Sequence, residues 1–117
     1  RLFQTSIPGQ VDRPGSIKSF DTFSIPEAQD PAFASGFGDL SVHEVVLNPH
    51  PNKRLAYVSY YAGGFRILKY GPQGLRQVGA FIDEGGNNFW GVEWHKIKGK
   101  EYVLASDRDF GLYIFRP

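Results

Sequence analysis

Few side chains in this sequence offer chemistry. Cysteine is absent, which excludes disulfides, thiolate metal sites and thiol catalysis. His43-Glu44 puts an imidazole beside a carboxylate, and Glu93 and His95 add a carboxylate and an imidazole on what reads as the inner strand of the next unit. Imidazole nitrogen and carboxylate oxygen can together bind Zn²⁺ or a similar ion. Alternation along an extended segment turns His43 and Glu44 to opposite sides, which works against a shared ion. Asp107-Arg108-Asp109 could offer carboxylates to Ca²⁺, with Gly111 permitting a tight turn. No EF-hand spacing surrounds it, however, and Arg108 between the acids points to an internal ion pair. Asp83-Glu84-Gly85-Gly86-Asn87-Asn88 reads in the same two ways, as an ion-binding loop or as a plain turn. His50 lies between two prolines and is expected at the surface. There is no Gly-x-Ser-x-Gly elbow and no phosphate loop, so no residue is assigned a catalytic role.

The elements that must position these groups come in a repeat. Val42 to Leu68, shifted by 47 residues (Gly64 to Gly111), falls on Phe89 to Phe115 without a gap. Val45 falls on Val92, Leu47 on Trp94, Ser59 on Ser106, and Gly64-Phe65-Arg66-Ile67-Leu68 on Gly111-Leu112-Tyr113-Ile114-Phe115. Trp90 takes the place of His43, so a histidine is not repeated. Within the first copy the expected strands are Val42 to Leu47, Leu55 to Tyr61, Phe65 to Tyr70 and Leu75 to Ile82. They are separated by Asn48 to Lys53, Ala62-Gly63-Gly64 and Gly71-Pro72-Gln73-Gly74, all rich in turn residues. The second copy has Phe89 to Ile97, Glu101 to Ser106 and Gly111 to Arg116. Upstream, Arg1-Leu2-Phe3 resembles Arg66-Ile67-Leu68. Ile17, Phe20 and Phe23 are spaced as Leu75, Val78 and Phe81 are, which predicts an outer strand over Ile17 to Ile25. Ser6 to Gly15 reads as a loop, and Pro26 to Gly38 as a long connection with one helical turn near Glu27 to Gln29. Apolar residues nowhere recur at helical spacing over three turns.

The 117 residues are 41% hydrophobic and 21% charged, a globular balance. A formal charge of +1, from 13 basic and 12 acidic residues, gives no reason to expect nucleic acid or an anionic membrane as partner. No apolar run approaches the roughly 20 residues of a membrane helix. Gly (14), Pro (8) and 15% aromatics fit many short strands joined by turns.

Four-stranded units repeating every 40 to 50 or so residues suggest all-β, antiparallel blades of a β-propeller. On this reading 1–25 holds the outer two strands of a preceding blade and 26–41 a connecting loop. Residues 42–82 form a complete blade and 83–117 three strands of the last. Unpaired ends of a flat stack favour aggregation. The chain is therefore expected to be an incomplete, C-terminal part of a closed propeller, with an upstream region preceding Arg1. Its partners would be the remaining blades or further copies of the chain. A self-contained sandwich or open sheet is the alternative.

At the third strands, LAYVSYYAGGFRILKYG (Leu55 to Gly71) and EYVLASDRDFGLYIFRP (Glu101 to Pro117) resemble LVIVD-repeat propeller proteins. The family repeat is a tyrosine-containing strand, a short turn, then Gly-Leu-x-Ile-x-Asp. Lys69 and Arg116 replace its terminal Asp here. The resemblance covers the last 75 or so residues and implies a six- to eight-bladed propeller, often exported and held at or shed from the bacterial surface. It implies no single reaction.

In such a fold, loops joining outer to inner strands share a face with those joining second to third strands. That gathers Asp39, His43, Tyr60, Tyr61, Asn87, Asn88, Trp90, Asp107, Arg108 and Asp109 as a ligand-binding rim suited to a sugar, peptide or protein. The plainer alternative is that the Asp and Asn residues cap turns while Trp90 and Phe89 fill space between blades. The expectation is a noncatalytic binding or interaction module without a cofactor. A hydrolase or lyase using a divalent metal or acid–base group at His43 or Glu93, and a structural cell-surface protein, are the alternatives.

Overall fold

The computed structural model describes residues 1–4, 18–34, 36 and 38–117. The loop expected over Ser6 to Gly15, and Ile17, lie outside them. The described chain is mostly antiparallel sheet, in three pieces. β1 (Leu2–Gln4) pairs with β2 (Lys18–Asp21). β3 (Glu44–Leu47), β4 (Leu55–Ser59), β5 (Phe65–Gly71) and β6 (Gly74–Phe81) follow one another across a four-stranded meander. β7 (Phe89–Ile97), β8 (Lys100–Asp107) and β9 (Gly111–Phe115) make a three-stranded one.

Turn chemistry explains the connections. β7 and β8 are joined by Lys98 and Gly99, with φ of 48° and 78°. Two positive φ values are what a two-residue hairpin of type I′ requires, because its twist matches that of the strands. Gly64, with φ of 84°, opens β5 where an added Cβ would strike the carbonyl of Phe81, so the close strand-to-strand approach there depends on glycine.

Between β2 and β3 the chain makes two short 3₁₀ turns, Pro26–Gln29 and Pro31–Phe33. The first was expected near Glu27. The second follows from the Asp30 carboxylate accepting the Ala32 N–H at 2.9 Å, with Pro31 at its first position. The strand predicted to reach Ile25 ends at Asp21, whose carboxylate accepts the N–H groups of Thr22 and Leu75, at 2.8 and 2.7 Å. Those bonds fasten β2 to the start of β6 instead of extending the ladder.

β4 is the centre of the molecule. Ala56 to Ser59 are buried without interruption, so both faces of the strand are covered. On one face Tyr57 and Phe65 pack against Phe89, Val92, Val103 and Ala105 of the second sheet. On the other, Ala56, Val58, Tyr60 and Leu68 pack under Ile25, with Phe23 and Leu40 at the margin. The repeat survives as matched bonding. Ser59 Oγ accepts the Glu44 N–H at 3.0 Å, and 47 residues on Ser106 Oγ accepts the Gly91 N–H at 2.9 Å. The two larger sheets are also sewn together. Tyr61 and Phe89 exchange backbone bonds of 3.0 and 3.1 Å, Ser59 Oγ donates to the Trp90 carbonyl at 2.6 Å, and the Glu44 carboxylate accepts the Val92 N–H at 2.8 Å. Further out, Lys53 Nζ lies 2.7 Å from the Glu101 carboxylate.

Phe89 has no exposed surface and touches the rings of Phe81, Tyr113 and Phe115. Phe89→Ala is expected to lower the stability of the fold by about 3–5 kcal/mol in urea unfolding. Val78→Ala, at a position 46% exposed on β6, should stay within about 0.5 kcal/mol of the parent in the same measurement.

Candidate functional site

The residues gathered in the sequence divide into three groups. The first is aromatic and lies where the two larger sheets meet. β7 and β8 pair Phe89 with Asp107 and Gly91 with Ser106, leaving Trp90 as an extra residue in the ladder. Such a bulge re-aims a side chain, and the Trp90 indole ends 43% exposed although its neighbour Phe89 is wholly buried. His43 is held at the mouth of β3 by its N–H, which donates to the Ser59 carbonyl at 2.9 Å. Its ring lies 4.0 Å from that of Trp90, tilted by 37°. Tyr61 stands nearly perpendicular to both, 5.3 Å from His43 and 5.8 Å from Trp90. Edge-to-face contacts of this kind are favourable because ring edges are positive and faces negative. Tyr61 has φ of 45°, unusual for a residue with a side chain, and this turn directs its ring to Trp90 while its backbone pairs with Phe89. The Arg108 guanidinium lies over the Trp90 ring, 4.9 Å from the centroid.

The second group is polar and builds the loop that carries Arg108. Asp107 is buried, yet each carboxylate oxygen has two donors. Oδ1 accepts the N–H groups of Asp109 and Phe110, at 2.9 and 3.1 Å. Oδ2 accepts the N–H of Asn88 at 2.8 Å and Asn87 Nδ2 at 3.1 Å. Asn87 Oδ1 in turn accepts the Asp83 N–H at 2.7 Å, and Asn88 Nδ2 donates to Asp109 at 3.1 Å. The Arg108 N–H donates to the Asn88 carbonyl at 3.0 Å. Segments 83–88 and 107–110 are therefore one bonded unit. The ion pair expected inside Asp107-Arg108-Asp109 gives way to this arrangement: the acids bind amides, and the guanidinium goes to the indole.

The third group consists of Asp39 and Tyr60. Asp39 reaches the site through its backbone, its carbonyl accepting the Ala62 N–H at 3.0 Å. Tyr60 does not join it. Strand alternation turns Tyr60 to the side opposite Tyr61, where it is buried against Phe23, and its hydroxyl lies 3.4 Å from the Phe23 carbonyl. Burial raises the Tyr60 pKa from its ordinary value, which fits a packed phenol.

The other chemical candidates lie apart from these rings. Glu93 and His95 pair with each other at 3.0 Å, with side chains 71% and 46% exposed. His50, expected merely to be exposed, meets the Trp94 ring edge-on at 5.9 Å and lies 3.6 Å from Glu101. Among the described residues no three His, Asp or Glu side chains come together as a metal site. The sequence also understated Glu44, whose carboxylate reaches the next sheet. The signal for it was Gly91, where an added Cβ would stand 3.5 Å from that carboxylate and 2.8 Å from Ser106 Oγ.

For Asp107, burial pushes the pKa up. The hydrogen bonds from the Asn88, Asp109 and Phe110 backbones and from Asn87 more than offset it, leaving the carboxyl below its ordinary 3.8. A carboxylate whose folded pKa lies below the unfolded value stabilises the fold above the unfolded value, and that contribution is lost as pH falls through the folded one. Stability should therefore decline as pH drops below about 4. Asp107→Asn turns one acceptor into a donor facing N–H groups. It should cost about 1–3 kcal/mol at pH 7 and flatten this acid limb, both read from urea unfolding across a pH series. Compared with protein-family models, curated proteins and solved structures, the chain finds no match, so the chemistry of the rim is read from its own geometry.

Proposed function

We propose that the chain is a noncatalytic binding module, that its two larger sheets are neighbouring blades of a β-propeller of the LVIVD-repeat kind, and that its ligand sits on the rim made by segments 83–90 and 107–110. The blade reading is supported by the 47-residue equivalence of β3–β5 with β7–β9, carried down to the Ser59 and Ser106 bonds. An exported, cell-surface setting goes with the same family resemblance.

The observation that carries the ligand reading is the exposed Trp90 indole. A bulge turns it outward at the line where two sheets meet, a guanidinium lies over it, and the Asn88–Asp109 pair is bonded into the same loop. An aromatic surface with amide, carboxylate and guanidinium groups nearby suits a neutral sugar. Sugar C–H groups pack against the part of the indole left exposed while the hydroxyls exchange hydrogen bonds with the polar groups. The hydrolase or lyase alternative has less support, since His43 spends its ring on Trp90 and Glu93 pairs with His95.

Titration of the ¹⁵N-labelled chain with a panel of neutral oligosaccharides tests this reading. Binding should shift the Trp90 indole N–H and the Asn88 and Arg108 amides while leaving the Trp94 indole in place. Trp90→Ala should weaken binding by about tenfold or more. If no oligosaccharide moves these signals, or if Trp90→Ala binds as well as the parent, the sugar-binding reading fails.

A further inference from the structure

Each of the two larger sheets carries both halves of the interface that joins them. In that interface Phe65 and Ile67 of the first sheet are covered by Val92, Val103, Ala105 and Phe115 of the second. A shift of 47 residues turns the covered pair into Leu112 and Ile114, and the covering set into Val45, Ala56, Val58 and Leu68. Three of the covering set have their own partners, for Ala56, Val58 and Leu68 lie under Ile25, while Val45 is 53% exposed. The covered pair has no such cover among the described residues. Phe65 is 2% exposed, whereas Leu112 and Ile114 are 62% and 61% exposed, side by side on β9. A bonding group is left over on the same sheet. Ser59 Oγ accepts from its own sheet and donates to the Trp90 carbonyl across the interface at 2.6 Å. Ser106 Oγ accepts in the same way from Gly91, but among the described residues its hydroxyl proton has no acceptor, and it faces solvent.

We propose that the Leu112–Ile114 face of β7–β9 is a docking surface for one further unit of this same repeat. That unit is an antiparallel sheet presenting small and β-branched side chains at the positions of Val92, Val103 and Ala105. It also presents a free main-chain carbonyl at the position of Trp90, which takes the Ser106 hydroxyl proton. The interface already formed inside the chain shows this chemistry, and the new one continues it. One bond is not repeated: Gly91 stands where Glu44 does, so no carboxylate reaches across to the added unit. The inference rests on the repeat and on the blade reading drawn from it, not on a ligand at the rim.

The test extends the intact chain in register. Residue 117 is equivalent to residue 70, so a second copy of residues 71–117 placed after Pro117 continues the repeat by one unit. The extended protein should unfold in one transition, with a higher urea midpoint and a larger m-value than the parent, because stacked repeats stabilise their neighbours. Amides of β9 should gain hydrogen-exchange protection. In the extended protein Leu112→Glu with Ile114→Lys should return the midpoint to that of the parent. Ser106→Ala should lower the folding equilibrium constant roughly 2- to 10-fold in the extended protein and by much less in the parent. Both sites are exposed in the parent, whose own fold serves as the control.

An extension that unfolds separately, or that leaves β9 exchange unchanged, overturns the docking surface. So does a parent chain that already self-associates through Leu112 and Ile114 in light scattering, since the occupant is then a second copy. Oligosaccharide shifts at Trp90, recorded on the same extended protein, report on the rim independently. Docking and ligand binding can therefore fail separately.

Discussion

A β-strand with apolar side chains on both faces has to be covered on both faces, and β4 is such a strand. Its sequence, Leu-Ala-Tyr-Val-Ser, leaves no polar face to turn to water, and even its serine is buried and bonded. Much of the remaining architecture answers that requirement. β7 and β8 close one side with Phe89, Val92, Val103 and Ala105, and the segment from Phe23 to Leu40 closes the other through Ile25. Apolar burial on this scale contributes roughly 25 cal/mol per Å² removed from water, so it outweighs any single polar bond between the sheets. The polar bonds set position, because a hydrogen bond tolerates only a narrow range of distance and angle.

The rim follows from that packing. With Phe89 committed to the core and Gly91 kept small for Ser106 and Glu44, the residue between them is forced out of the ladder. Trp90 is that residue. The left-handed backbone of Tyr61, needed to pair with Phe89 across the sheets, brings a second ring to the same place. His43 completes the group from the inner strand. The exposed aromatic group and the sheet-to-sheet stitching thus share residues here.

Period and turn chemistry made much of the fold legible in the sequence. Phe89–Ile97 was readable to the residue. The 47-residue shift pairs Ser59 with Ser106, and the two hydroxyls accept equivalent N–H groups. What could not be read depended on partners distant in sequence. Tyr60 and Tyr61 look alike in a list of aromatics; alternation sends them to opposite sides, and the backbone turn at Tyr61 brings its ring to Trp90. The bulge at Trp90 is a property of two strands in register, so neither strand alone reveals it. Asp107 was expected as a rim acid; its role in knitting 83–88 to 107–110 depends on four donors, two of them supplied by Asn87 and Asn88.

The distribution of bonds between the two sheets has a mechanical side. Near the inner strands they are joined by directional links: Tyr61 with Phe89, Ser59 with Trp90, Glu44 with Val92. Toward the outer strands the joint is mainly ring on ring, Phe65 on Phe115 at 4.4 Å and Phe81 against Phe115 and Tyr113, with the Tyr113 hydroxyl to Asp83 as a polar link. Apolar contacts fix no direction while hydrogen bonds do, so the pair resembles a book bound along its inner edge. A change of angle between the sheets that kept these links would pivot about β3 and β7, with His43, Tyr61 and Trp90 on the spine.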